Sequence, residues 1–348
     1  MGGGAGVAAE TMVESKEWYL AAYAPENVPT SEHIKLRTVN VSLDYDSIPD
    51  QHVLVQLLMI TVDPYLRNVI TGRDGDLCMP QLQLNKVLTE FGIARVVRSK
   101  NSNFNEGDIV VNGFSLITEY SVIPSDFLRK IDPTANINLP DYINCLGLPG
   151  FTAWIGIEVI GNPAPGSNVF ISAAAGGVGT FAGQLAKLKG CRVVGSTGSD
   201  EKVQILKDEF GYDEAFNYRK ESDFDTALAK YVEIADTYVI HNFLNHVNKG
   251  ARIAISGMMS QYNTIPTERD GVNSLLHMVG KEVKMEGFLC ASYLNRFGEF
   301  ATLMEAYLKE EKIKSKHKIY QGIESFLESF ASVFSSSNMG KVIVQVAS

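Results

Sequence analysis

The chain has 348 residues, 45% of them hydrophobic and 20% charged, which excludes a disordered protein and leaves room for two domains of ordinary size. Its net charge of −9 argues against a nucleic-acid partner, since phosphate binding draws on clustered Lys and Arg, but leaves one local cationic pocket possible. Cys78, Cys145, Cys191 and Cys290 lie far apart with no Cys-x-x-Cys pair, so they and the six histidines predict no zinc site and suit a reducing cytoplasm.

Residues 1–16, Gly- and Ala-rich at the start, read as a loose tail without the basic segment and apolar run of a secretory signal. No run of about 18 apolar residues predicts a membrane span. From Glu17 to Asp132 the chain is β-rich. Runs such as His52–Leu57 and Gly92–Val97 alternate or are β-branched, and turn signals such as Asn105-Glu106-Gly107-Asp108 separate them. A small β-barrel domain is expected here.

From about Asn144 the texture changes to short strand and helix units. Strands are expected at Asn168–Ala173, Arg192–Gly195, Glu214–Tyr218 and Ala251–Gly257, with helices at Thr180–Lys189, Asp200–Glu209 and Asp223–Tyr231. Such alternation predicts an α/β fold with a doubly wound parallel sheet. Helices over Phe297–Glu310 and Ile323–Phe334 and a strand over Gly340–Val346 close the chain, the last expected to return to the first domain. The domain division expected is 17–145 with 313–348 for the β-domain and 146–312 for the α/β domain.

The central motif is Ala173-Ala174-Ala175-Gly176-Gly177-Val178-Gly179, between a predicted strand and a predicted helix. In Ala174-x-Gly176-x-x-Gly179 the first small residue allows the tight turn. Gly176 lets backbone approach a pyrophosphate, and Gly179 lets the helix pack on the strand. The helix N-terminus then offers unpaired N–H groups to phosphates. The bland alternative is a strand-to-helix turn with no ligand; strand before, helix after and a second strand close behind favour a dinucleotide.

Which dinucleotide is read at the end of the second strand, where an NAD site places Asp or Glu. This chain has Gly195-Ser196-Thr197-Gly198-Ser199, then Asp200 and Lys202. Hydroxyls and a cation suit the 2′-phosphate of NADPH, although Lys202 could equally be a solvated residue of a first helical turn. Two tyrosines stand in candidate site loops: Tyr65 in Thr61-Val62-Asp63-Pro64-Tyr65-Leu66-Arg67, and Tyr262 in Ser260-Gln261-Tyr262-Asn263, beyond a predicted parallel strand. A tyrosine O–H can donate to a carbonyl oxygen that gains negative charge. Both could instead pack as core tyrosines with a satisfied hydroxyl.

At these residues the chain resembles the zinc-free medium-chain dehydrogenase/reductases, and within them the plant NADPH-dependent 2-alkenal or double-bond reductases, related to the prostaglandin and leukotriene reductases. The resemblance runs from about Trp18 to Val346. It rests on Val62–Arg67, Gly147–Ala153, the glycine turn, Phe216-Asn217-Tyr218, Gly257–Asn263, Met285–Phe288 and Ser337–Lys341. It implies a GroES-like barrel domain beside a Rossmann domain, a homodimer, and hydride transfer from NADPH to the β-carbon of an unsaturated aldehyde or ketone, followed by α-protonation of the enolate. By position, Lys202 and Tyr218 would contact the 2′-phosphate. Ser256 would face the cofactor, and Phe288, Leu289, Cys290 and Asn338 would line its nicotinamide side; Pro64, Gly198 and Tyr262 are counted with the cofactor site. Tyr65 and Tyr262 would contact substrate, Tyr262 holding the enolate oxygen.

One departure stands out. After Tyr231, relatives have a strand running into Asp-Asn-Val-Gly-Gly and a helix; here no Gly-Gly appears and the stretch is shorter. Either Ala235–Ile240 serves as the strand, with Asn242 in place of the family's asparagine and a short helix after it, or a helix over Glu233–Val247 replaces the strand. The first is preferred, because Asp236-x-Tyr238 and Leu244-Asn245-His246-Val247 both fall into register, and loss of a sheet member would leave its neighbours unpaired. The expected function is therefore enal or enone reduction, with two rivals: a quinone reductase on the same fold, and a non-catalytic NADPH-binding protein.

Overall fold

The computed structural model describes residues 11–73, 79–221, 223, 226–228, 235–238, 243–269, 271, 275–335 and 337–348. Cys78 and Asn242 therefore lie outside the described residues, as does most of the helix expected over Asp223–Tyr231.

The N-terminal half is built from antiparallel strands, as its alternating apolar runs require. Strand β1 (Met12–Leu20) pairs along its full length with β2 (Ile34–Ser42). This corrects one expectation: Met12–Lys16, read as tail, form the first half of a paired strand. Ser15 is fully buried and Trp18 nearly so, the indole Nε1 donating to Ile323 O at 2.7 Å, and these contacts fix the strand.

Strands β3 (His52–Val62), β4 (Thr89–Ser99), β5 (Ile109–Leu116) and β7 (Leu128–Lys130) continue the domain, and β6 (Tyr120–Pro124) pairs with β3. The two C-terminal strands β14 (His317–Gln321) and β15 (Lys341–Gln345) join this sheet, giving the order β14-β15-β3-β4-β5-β7. β15 lies antiparallel to β3, Val342 opposite Val62, so the end of the chain sits beside the Asp63–Tyr65 loop.

The second sheet has six parallel strands: β8 (Asn168–Ile171), β9 (Arg192–Thr197), β10 (Glu214–Asn217), β11 (Ala235–Tyr238), β12 (Val247–Ile255) and β13 (Lys284–Gly287). Their order, β10-β9-β8-β11-β12-β13, reverses direction between β8 and β11, which makes that point the ligand crevice of a doubly wound sheet. The expected α/β class holds. Strand β11 is present, pairing with β8 through Thr237 and Val169 and with β12 through Tyr238 and Ile253. The segment after Tyr231 thus contributes a sheet member, and among the described residues the turn Phe243–His246 leads into β12. Among the described residues no helix is long and apolar enough to cross a membrane.

Candidate active site

Helix α3 (Gly177–Leu188) starts at the glycine turn with Gly176 as its N-cap. Ala174 is fully buried, and Ala173 takes φ +44°, a left-handed conformation strained for a residue with a side chain. A Cβ on Gly179 would lie 2.6 Å from Ala173 O and 2.7 Å from Ala174 Cα, so only glycine lets the helix approach the strand this closely. The turn is tied across the molecule: Gly340 N donates to Ala175 O at 2.8 Å, and Gly340, at φ +68°, forms a bridge with Gly176. The first turn of α3 contains no acidic residue, so its N-terminus offers N–H groups and a positive dipole end without a competing side-chain anion.

The end of β9 gathers cations. Ser199 caps helix α4 (Asp200–Asp208) by accepting from Lys202 N at 3.3 Å, which sets Lys202 in the first turn. Burial, then the nearby Arg219 charge, hold the Lys202 amine below its ordinary pKa. The Tyr218 hydroxyl lies 3.1 Å, and Arg219 Nε 3.4 Å, from where a Cβ on Gly198 would stand. Lys202, Gly198 and Tyr218 thus lie at one end of the sheet, and Arg219 joins them. Asp200, the carboxylate that a bare ribose would need, is already held by Asn217 Nδ2 at 2.9 Å and by Lys220. The donor set fits a phosphate better than a diol. Arg219 was missed because it follows Tyr218 in a turn where a charged residue is unremarkable.

The two tyrosines differ in what their hydroxyls do. Tyr65 opens the short helix α1 (Leu66–Val69) and donates to Thr89 O at 3.3 Å. Burial first, then the Glu90 and Asp63 carboxyls, push its phenol well above the ordinary value. Tyr262, buried beyond the end of β12, is also raised by burial, while the Met258 backbone and the Asn68 side chain near its oxygen pull the other way. The phenol therefore keeps a proton that it can give to an acceptor entering the crevice. Gly257 makes this possible, since a Cβ there would lie 2.8 Å from the Tyr262 hydroxyl oxygen.

Behind Tyr65 lies a buried polar cluster. Glu90 is fully buried; its Oε1 accepts from Asp63 N at 3.2 Å, and desolvation together with the Asp63 carboxylate pushes its carboxyl well above 4.5. Lys341 pairs with Asp63 and donates to Val62 O at 3.1 Å, next in chain to the Gly340 that holds the glycine turn. Cys290 stands by Thr152 and Asp63, its thiol raised chiefly by burial. Neither Glu90 nor Lys341 was singled out from sequence, since each is one polar residue in a β-run.

The remaining expected residues fall around the same crevice. Ser256 is exposed just past β12, and Phe288–Cys290 follow β13, with Phe288 N donating to Ile255 O at 3.1 Å. Leu289 is 39% exposed, and Pro64 is half-buried beside Tyr65. Asn338 Nδ2 donates to Ser332 Oγ at 2.7 Å, while its Oδ1 is buried without a partner in the structure. Such an orphaned acceptor fits a carboxamide N–H of a bound nicotinamide. Among the described residues no group of three or more His, Cys, Asp or Glu could hold a metal ion.

A Rossmann sheet ending on a glycine turn, beside a mostly antiparallel domain that carries a loop tyrosine, defines a nucleotide-dependent oxidoreductase architecture. Comparison with known families agrees. Residues 16–131 match the family described as N-terminal domain of oxidoreductase, and residues 177–309 the one described as zinc-binding dehydrogenase. The chain is 33% identical to (+)-pulegone reductase of Mentha piperita, with 97% of this chain and 99% of that protein covered. It is 34% identical to 2-alkenal reductase (NADP(+)-dependent) of Nicotiana tabacum, over 96% and 98%. The crystal structure of CurA in complex with NADPH from Vibrio vulnificus is similar at TM-score 0.85 and 29% identity, covering 96% of this chain and 99% of that one. The chain belongs to the medium-chain dehydrogenase/reductases, zinc-free branch, of the alkenal reductase type.

Proposed function

We propose that this protein uses NADPH to saturate the carbon–carbon double bond of α,β-unsaturated aldehydes or ketones. The observation that carries the reading is the Tyr262 hydroxyl, buried beyond the end of β12, packed against Gly257 and kept protonated by its burial. The cofactor, when bound, supplies the hydride to the β-carbon. Lys202, Arg219 and Tyr218 hold the 2′-phosphate, the α3 N-terminus the pyrophosphate, and Asn338 orients the carboxamide. Tyr262 donates to the carbonyl oxygen as negative charge collects there, which is the stabilisation an enolate needs where no metal serves. The α-carbon is then protonated. Tyr65, whose proton already goes to Thr89 O, lines the substrate side without serving as this donor.

The names of the two plant relatives and of the NADPH complex support this reading. The retained β11 tells against the non-catalytic rival, because the strand bordering the crevice is in its place. NADPH offered with an enal, an enone and a quinone, with the products identified, tests the proposal. Saturated carbonyl is expected; quinol with untouched enals refutes it. Lys202→Ala should weaken NADPH by about 10- to 100-fold and leave NADH unaffected, the loss of one charge-assisted contact.

The same reading divides the chain into a substrate domain, 17–145 with 313–348, and a nucleotide domain, 146–312. It also gives a cytoplasmic homodimer. Cys145 and Cys290, which form no disulfide, support the compartment. For the dimer, β13 is an edge strand, and Leu276 and Val279 in the helix before it are 83% and 76% exposed. A monomer in sedimentation refutes that part.

A further inference from the structure

Arg67 is completely buried, yet it lies in α1, one of the shortest elements of the molecule, two residues after Tyr65. Burying a guanidinium demands that its donors be matched. They go to loops of both halves of the chain. Nη1 donates to Ala24 O at 2.8 Å, and Nε is shared between Asn27 O at 3.1 Å and Asn263 Oδ1 at 2.9 Å. Asn27 N in turn donates to Asn263 O at 2.9 Å. Asn263 is thereby gripped through both its side chain and its backbone, and it directly follows Tyr262. The next residue of α1, Asn68, places its side chain near the Tyr262 oxygen, and its Nδ2 is buried with no hydrogen-bond partner in the structure.

We infer that Arg67 is a positioning residue: by clamping Asn263 to the Ala24–Asn27 loop it fixes Tyr262, carried by the nucleotide-binding half, against the substrate loop of the other half. The inference rests on the enolate-holding role of Tyr262. It explains why a costly buried cation sits at the junction rather than an apolar residue. A planar fork can tie three chain segments at defined angles, which an apolar contact or a lysine cannot do.

The test uses Asn263, because Arg67 variants can fail to fold. Asn263→Leu removes the acceptor and should lower kcat by about 10- to 100-fold, the cost of misplacing a catalytic group by up to an ångström. The dissociation constant of NADPH should stay the same. Asn263→Asp keeps the acceptor oxygen and should restore most of the rate. The decisive arm is the Tyr262→Phe background. There Asn263→Leu should cost nothing more, because the group it positions is gone. Losses that add in the double variant, or an Asn263→Leu protein with undiminished kcat, overturn the inference. A Tyr262→Phe protein as fast as the parent refutes the enolate-holding reading instead, and the inference falls with it.

Discussion

Gly257→Ala probes the proposed chemistry without replacing the reacting tyrosine. The added Cβ would stand 2.8 Å from the Tyr262 hydroxyl oxygen, and ordinary contact begins near 3.4 Å. The hydroxyl must therefore retreat by about 0.6 Å, or the backbone must give by as much. Tyr262 is 9% exposed, so the ring cannot swing out to absorb the change. Deleting an oxyanion-type donor outright costs about 2.7–4 kcal/mol, and a misplacement of about 1 Å costs about 100-fold in rate. A shift of about 0.6 Å should then cost about 1.4–2.7 kcal/mol, or roughly 10- to 100-fold in kcat. Tyr262→Phe sets the upper bound. The assay is NADPH oxidation on a good enal, with NADPH affinity measured separately by fluorescence. Affinity should be unchanged, and the double variant should be no slower than Tyr262→Phe alone. Undiminished kcat in Gly257→Ala, or a loss confined to NADPH affinity, would refute the placement of that hydroxyl at the developing charge.

Glu90 gives a pH-dependent prediction. Its folded-state value is raised above 4.5, so the fold favours the neutral acid; that contribution is complete below about 4.5 and is lost as pH rises through the folded value. Glu90→Gln, neutral throughout, should match the parent near pH 4.5 and melt progressively higher than it as pH rises; a Tm difference independent of pH contradicts this. Lys341→Met strands the buried Asp63 carboxylate, the pair being 4% and 11% exposed, and should destabilise by about 3–5 kcal/mol in urea titration. A cost below about 1 kcal/mol would mean that the pair is solvated in solution. Gly179→Ala drives a Cβ into backbone at 2.6–2.7 Å and should abolish measurable NADPH binding. Gly298→Ala, which meets nothing within 4 Å, is the control, and equal binding by both variants would refute the close approach.

The glycine turn was legible because its physics is local. A strand, a turn that tolerates no Cβ at Gly179, and a helix N-terminus all lie within one short stretch of chain, and the same holds for Lys202 behind its Ser199 cap. The short segment after Tyr231 was legible in part. The demand that β8 and β12 have a partner between them pointed to Ala235–Ile240 as the strand, and β11 over Ala235–Tyr238, with Thr237 paired to Val169, agrees. The fate of Met12–Lys16 was not legible. Its polar, alternating residues become a strand only because β2 presents a matching edge.

By itself, then, the sequence determined the fold class, the dinucleotide turn, Lys202 at the end of β9, and Tyr65 and Tyr262 as candidates. Only the tertiary structure showed what surrounds each tyrosine, of which the resemblance already favoured Tyr262 for the enolate oxygen. Those surroundings come from distant segments: Asn68 for Tyr262, Thr89 and Glu90 for Tyr65. Arg67 and Asn263 are 196 residues apart, and Lys341 and Val62 are 279 apart. No local pattern encodes such pairs. Each polar residue is ordinary in its own stretch of chain, and acquires its role when two sheets close on it and its donors must find acceptors away from water.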